Sequence, residues 1–323
     1  MEADLNPQAF GQILSRIRQL LRANLKLFVA IAAAPVLVTL AVEGVLAGMV
    51  VATMAWLQAA GKPVEMTAAG VTVIAAESIV GLAGVVVMLA AFAFFEPAVS
   101  FAALEVDAGR AVTFRAAYAV AWRKPGRYLW LIILRQLIMI APLVILGVPL
   151  LLLWATFTVG AGKPDPSLAI FLVPLGMLLY LVTLVWIVLA AIRMALVYPV
   201  CVAEDRTAWD ALRRGNDLSK GGRLRIFLVG LVMYAASVAA ILACELAFFL
   251  LAAIGLIPQI WSHLSPVATY LGYIWMGLVG LCFVALLFLC MALIPAAYSI
   301  AFAVLYRDHI QMERRAAAAG IAG

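Results

Sequence analysis

The chain has 323 residues, of which 67% are hydrophobic and only 12% charged, and its mean hydropathy is +1.14. Soluble domains carry roughly a quarter of their residues as charges, so this composition excludes a water-soluble globule and requires a polytopic membrane protein. The formal net charge is +6, and 20 of the 22 Lys and Arg residues lie outside the apolar runs, where they suit anionic lipid; no nucleic-acid partner is expected, because no nucleic-acid-binding module accompanies them.

Residues 1–26 form an amphipathic segment. Asn6-Pro7 is a helix start, and Phe10, Ile13, Leu14, Ile17, Leu20 and Leu21 keep helical spacing opposite Arg16, Arg18 and Arg22, which predicts a short helix in the headgroup layer. The run that follows is too long for the core of a cleavable signal, so the first span is expected to remain in the protein. Apolar runs fall at residues 27–57, 70–101, 129–159, 168–200, 226–257 and 268–303. Each exceeds the ~20 residues a helix needs to cross ~30 Å of hydrocarbon. Their unbroken Leu, Ala and Val content predicts helices, because barrel strands alternate apolar with polar residues. Two further short amphipathic helices are predicted. One lies at 110–123, with Val112, Ala119 and Trp122 apolar against Arg115 and Arg123. The other starts at Thr207-Ala208-Trp209-Asp210, which resembles a capping box, and carries Trp209 and Leu212 on one face.

These elements repeat. Asn24 to Pro97, Gly126 to Pro199 and Gly222 to Pro295 each span 73 residues (97 − 24, 199 − 126, 295 − 222). Pro63, Pro164 and Pro258 fall between them, the first two within identical Gly-Lys-Pro tripeptides that read as turn punctuation. The expected fold is all-α and integral to the membrane: six transmembrane helices as three tandem two-span repeats, each preceded by a short cytoplasmic amphipathic helix. The repeats run approximately over 8–103, 110–205 and 206–303 within a single membrane domain of residues 1–323, with a C-terminal tail at 306–323. An even number of spans per repeat predicts pseudo-threefold symmetry about the membrane normal.

Of the Lys and Arg residues, 18 flank the spans on one side, against Lys62 and Lys163 on the other and Arg135 and Arg193 within spans. The positive-inside bias therefore places both termini in the cytoplasm. Arg16, Arg18, Arg22, Arg123, Lys124, Arg127, Arg213, Arg214, Lys220 and Arg223 are candidate contacts to lipid headgroups.

The stretch from Ala208 through Trp209, Arg213, Arg214, Gly215, Asn216 and Asp217 to Lys220-Gly221-Gly222-Arg223, entering a span, resembles the juxtamembrane signature of a multi-span family that includes the membrane domain of glycerophosphoryl diester phosphodiesterases. The resemblance implies a membrane module in a bacterial inner membrane. It lends no catalytic residues, because the phosphodiesterase domain of that family has no counterpart in this sequence.

Chemistry is sought among ionisable groups inside the spans, which are costly in hydrocarbon. Glu43, Glu77 and Glu245 are expected in the outer half, and Glu96, Arg135 and Arg193 in the inner half. Two readings stand: an outer acidic vestibule above an arginine pair that attracts an anion, or arginines that snorkel or pair with Glu96. Gly44-x-x-x-Gly48 suggests close helix packing within the chain, and Pro35, Pro142, Pro149 and Pro174 are expected to kink or bound helices. His263 is expected near the outer surface and His309 exposed in the cytoplasmic tail; neither resembles a metal or haem ligand, and Cys201, Cys244, Cys282 and Cys290 suggest no disulfide. No GxSxG, HExxH, GxxxxGK[ST] or CxxC motif occurs. The expected function is a non-catalytic membrane scaffold, assembly or accessory subunit without a cofactor, engaging membrane lipids and a membrane-protein partner or a second copy of itself. The alternatives are a transporter or channel for a small ion or anionic lipid-like substrate, and an intramembrane enzyme using the embedded carboxylates.

Overall fold

The computed structural model describes residues 10–60, 68–150, 152, 166–260 and 266–318. Among the described residues every regular element is helical: α1 (Phe10–Ala23), α2 (Leu25–Ala60), α3 (Ala68–Asp107), α4 (Phe114–Arg123), α5 (Pro125–Pro142) running into a π-helical turn (Leu143–Gly147), α6 (Pro166–Met194), α7 (Val197–Ala203), α8 (Ala208–Lys220), α9 (Arg223–Ile260) and α10 (Pro266–Ala318). Six stretches are long and apolar enough to cross a membrane: Leu25–Trp56, Ala75–Asp107, Pro125–Leu150, Pro174–Ala203, Arg223–Ile254 and Tyr270–Arg315. The protein is an all-α integral membrane protein.

Local sequence explains where these helices begin and bend. Thr113 caps α4 by accepting from the Ala116 N–H at 3.3 Å, and Thr207 caps α8 by accepting from the Asp210 N–H at 3.3 Å while its hydroxyl donates to the Asp210 carboxylate at 2.6 Å. Proline inside a helix strands the carbonyl four residues earlier. For Pro35 that carbonyl is Ile31 O, which accepts from the Tyr118 hydroxyl at 2.8 Å. For Pro142 it is Ile138 O, which accepts from Trp186 Nε1 at 2.8 Å. Each proline thus creates an acceptor that an aromatic donor on another helix satisfies, and the kink becomes a tertiary contact. Pro97 and Pro295 lie inside continuous helices, whereas the chain breaks at Ala195–Leu196 just before Pro199.

The long helices pair as hairpins, α2 with α3, α5 with α6 and α9 with α10, and α3 is the hub that also touches α10, α5 and α7. The short helices lie across the hairpins that precede them. α4 packs on α3 and α2, α8 on α7, α6 and α5, and α1 reaches to α10 at the other end of the chain. This arrangement is a ring, closed by α1 through the buried Ile13, Ile17 and Leu20.

Among the described residues, burial is confined largely to one end. Phe28 and Ile31 of α2, Phe95 to Ala103 of α3, Tyr128 and Leu131 of α5, Leu196 to Cys201 around α7, Ile226 of α9, and Ile300 and Leu305 of α10 form one continuous core with α1, α4 and α8. Toward the opposite, distal end, large apolar side chains point away from the protein on every hairpin, among them Val51, Leu82, Ile145, Leu181, Phe249 and Leu281.

Several expectations are corrected here. α10 continues to Ala318, so Tyr306, Asp308 and His309 belong to a helix that packs into the core and not to a separate tail. His309 is buried, its Nδ1 lies 2.8 Å from Leu305 O, and a Cβ on Gly222 would collide with its Nε2; an exposed role is excluded by this packing. Gly44 and Gly48 face open space, so the close approach expected there is absent; it is Gly84 that meets a neighbour, Val42. The helix of the second short element starts at Phe114, and Pro258 falls in the last turn of α9. Pro63, Pro164, Lys62, Lys163 and His263 lie outside the described residues, as does the Asn6-Pro7 start signal.

Candidate functional site

Two groups of polar residues stand out, one inside the core and one on its flank. Inside, Glu96 on α3 faces Arg135 on α5, with Oε1 and Nη1 3.5 Å apart. The Ser299 hydroxyl on α10 donates to Glu96 Oε2 at 3.1 Å, and the Arg135 guanidinium lies 5.6 Å from the centroid of the Tyr198 ring on α7. A cavity of about 320 Å³ opens among these side chains, lined also by Ser100, Tyr298, Pro199 and Pro295. Glu96 and Tyr198 immediately precede Pro97 and Pro199, and Pro295 lines the same cavity, so the neighbourhoods of these three prolines meet here. The arrangement balances charge: one carboxylate, one guanidinium and several hydroxyls. The Tyr198 hydroxyl is buried and makes no hydrogen bond among the described residues.

Below this cluster, at the charged end, ion pairs stitch one hairpin to the next. Asp107 at the end of α3 takes both Arg16 of α1 at 2.8 Å and Arg307 of α10 at 2.7 Å. Asp205, in the α7–α8 link with φ of 51°, takes Lys124 at 2.8 Å and Arg127 at 2.7 Å. Hydrogen bonds from Lys124 and then Arg127 hold its carboxyl below the usual aspartate range. Arg214 of α8 reaches Glu313 at 2.5 Å and Glu204 at 3.7 Å, and Arg225 of α9 reaches the buried Asp308 at 2.5 Å. Glu105 and Arg110 pair at the edge of a wider cavity of about 830 Å³ among α3, α7 and α10. These contacts fix the relative positions of the hairpin ends, and exposed pairs among them add little stability individually.

On the flank, α5, α6 and α8 frame a groove of about 310 Å³. Its floor is apolar, from Ile138, Leu189 and Leu212, and its rim carries Arg193, Arg213, Asn216 and the indoles of Trp186 and Trp209.

The expected site residues separate accordingly. Glu96 and Arg135 come together as the pairing reading required. Arg193 does not join them; it is exposed at the flanking groove. Glu43 and Glu245 are exposed on α2 and α9, and Glu77 accepts from the Thr53 hydroxyl at 2.7 Å; none of the three lines the cavities above, so no acidic vestibule gathers them there. Among the expected headgroup contacts, Arg16, Lys124, Arg127, Arg214 and Lys220 are engaged in ion pairs with neighbouring carboxylates. Arg18, Arg22, Arg123, Arg213 and Arg223 are exposed and make no ion pair among the described residues. Sequence reasoning missed Tyr198, Ser299 and the hub role of Asp107. The first could have been found from its place beside an aligned proline; Asp107 offered no such signal.

The described residues contain no group of His, Cys, Asp and Glu arranged to hold a metal ion, and the four cysteines are free thiols. No family model, no curated protein and no solved structure matches this chain.

Proposed function

We propose that this protein is a non-catalytic membrane scaffold or accessory subunit, built from three two-span repeats clasped at the cytoplasmic face, whose distal helix surfaces receive lipid or another membrane protein. One observation carries this reading: the hairpins share a continuous core and an ion-paired layer at one end, while large apolar side chains on all of them face outward at the other. The recurring order of one short helix and two long ones supports the repeat, as does the placement of each short helix on a neighbouring hairpin. The 18 basic residues on one side support a cytoplasmic position for the clasp and both termini. The resemblance of residues 208–223 to the glycerophosphodiesterase-associated membrane family supports a bacterial inner-membrane module and no more. Lipid tails give no strong drive for apolar helices to close on one another, so a surface of this kind is stable in lipid and is also available to a partner helix.

The test places a photo-crosslinking phenylalanine at Leu82, Leu181 and Leu281, one exposed position on each hairpin. In native membranes these positions should capture lipid or a second polypeptide. Cross-links running between hairpins of the same chain would show that the distal half closes on itself and would overturn the proposal.

A second reading, transport of a small polar solute, is favoured by the partly open cavity at Glu96 and Arg135 and by the unpartnered Tyr198 hydroxyl beside it. Reconstituted vesicles should then leak or take up solute in a manner that Arg135→Gln abolishes while leaving the protein folded. Equal flux in both proteins would remove this reading.

A further inference from the structure

We propose that the groove framed by α5, α6 and α8 binds the phosphodiester headgroup of an anionic phospholipid, with Arg193 and Arg213 as its two cationic contacts. The inference rests on the scaffold reading in one respect, that the charged end lies at a headgroup layer.

Pairing is the first argument. Arg16, Arg127, Arg135, Arg214, Arg225 and Arg307 each hold a carboxylate within 4.0 Å, whereas Arg193 and Arg213 hold none among the described residues. The carboxylates nearest to Arg213 on its own helix are occupied, Asp210 by the Thr207 hydroxyl at 2.6 Å and Asp217 by Lys220 at 2.7 Å. α5 and α6 contain no acidic residue at all. The lining of the groove therefore carries two arginines and no acidic side chain, and its complement is an anion.

The second argument is the apolar wall. Trp209, Arg213 and Asn216 stand at helical spacing on one face of α8, opposite Trp186 and Arg193 two turns apart on α6. Between them the floor is hydrocarbon, so the occupant has an apolar body attached to its charge, which describes a phospholipid better than a free anion. Tryptophan prefers this boundary, where the ring is in hydrocarbon and the N–H is polar. The third argument is preorganisation. Trp186 is held by its bond to Ile138 O, the acceptor that Pro142 leaves open, and the Arg213 guanidinium rests 5.4 Å from the centroid of the Trp209 ring. The guanidinium plane matches phosphate oxygens in pairs, which a lysine does only as a point charge.

The test uses the full chain in a neutral detergent, with thermal unfolding followed during titration by phosphatidylglycerol, phosphatidylcholine or inorganic phosphate. Phosphatidylglycerol should raise the melting temperature saturably, and the other two should not. Arg193→Gln with Arg213→Gln should raise the half-saturating lipid concentration at least ~10-fold, and the paired Lys replacements by only ~3-fold, as expected for loss of charge-assisted contacts against loss of geometry alone. Arg115→Gln, an exposed change on α4, should leave the titration unchanged. If the double variant fails to fold, Arg213→Gln alone, at an exposed position, carries the comparison, with co-purified lipid counted by native mass spectrometry. Unchanged phosphatidylglycerol affinity in the variants, equal stabilisation by phosphatidylcholine, or saturation by inorganic phosphate would each overturn the site. Such an outcome alongside distal cross-links to lipid or partner would leave the scaffold reading standing. Cross-links between hairpins alongside arginine-dependent lipid binding would remove the scaffold and leave the site.

Discussion

Near its charged end α3 buries Phe95, Ala98, Val99 and Ala102, whereas earlier on the same helix Ile79, Leu82, Val85 and Val86 face outward. The two stretches are equally apolar to the eye. Their difference lies in what crosses them: α4, α5, α7 and α10 all meet α3, and among the described residues the short helices and ion pairs that hold those crossings are confined to the charged end. A membrane helix can be hydrophobic all round, so apolar character alone does not say which face packs. Packing follows the places where polar groups, small residues and proline-freed carbonyls supply specific contacts.

If the clasp is what organises the protein, breaking it should cost most. Ile13 of α1 is fully buried where the ring closes, and Ile13→Asp places a carboxylate there without a partner. A loss of about 3 kcal/mol or more is expected, with release of α1 read by faster proteolysis near residue 23. Gly215→Leu comes next. A Cβ there would stand 3.2 Å from the backbone N and Cα of Val197, which cannot yield as a side chain can, so about 1–3 kcal/mol should be lost. Gly44→Leu meets open space and should cost little, and a comparable loss at both sites would erase the contrast between the two regions.

The Glu96–Arg135 pair tests the core between these extremes. Glu96→Gln leaves Arg135 without its carboxylate, but both side chains retain partial exposure, 22% and 31%, so about 1–2 kcal/mol is expected in place of the larger cost of a fully enclosed charge. Arg135→Gln added to it should cost less than the sum of the two single changes, and additive losses in thermal unfolding would show that the residues do not act together.

A smaller loss is expected at Tyr118. Tyr118→Phe strips the donor from Ile31 O, an acceptor already deprived of its helical partner by Pro35, at a cost of about 1 kcal/mol. Burial pushes the Tyr118 hydroxyl up to about 12. Its contribution is therefore complete below the ordinary tyrosine value of about 10 and declines as pH rises from there toward about 12. A wild-type and Phe pair whose stabilities converge over that alkaline range would confirm the sign, and parallel curves would contradict it.

Much of this was legible in sequence because hydrocarbon imposes simple rules. Span number followed from run length, the cap at Thr207 from its place before Asp210, and the Glu96–Arg135 contact from the cost of burying either charge alone. What was not legible depends on pairing across distant chain segments. Whether Arg214 faces lipid or Glu313 depends on the approach of α8 to α10, and nothing local in either segment records it. His309 was misread for the same reason: a polar residue after the last apolar run reads as tail until Gly222 supplies a surface small enough to bury it. The GxxxG spacing failed from the opposite cause, since small residues permit close packing but do not bring a helix to pack.

The smallest expected effect tests the distal half itself. Leu82 and Leu281 are about two-thirds exposed, at 67% and 68%, and shortening either to Ala removes surface that is mostly uncovered by the described residues. If lipid covers these positions, Leu82→Ala and Leu281→Ala exchange one hydrocarbon contact for another, and stability in bilayer nanodiscs should change by less than about 0.5 kcal/mol. If a second copy covers them, the leucines are knobs in an interface and their loss leaves voids that lipid tails fill poorly. The variants would then unfold more easily as the protein is diluted in the membrane, because the interface is governed by mass action. Neutral substitutions at every protein-to-lipid ratio point to lipid or to a different partner as the occupant. A dilution-dependent loss at both positions identifies the partner as this chain itself.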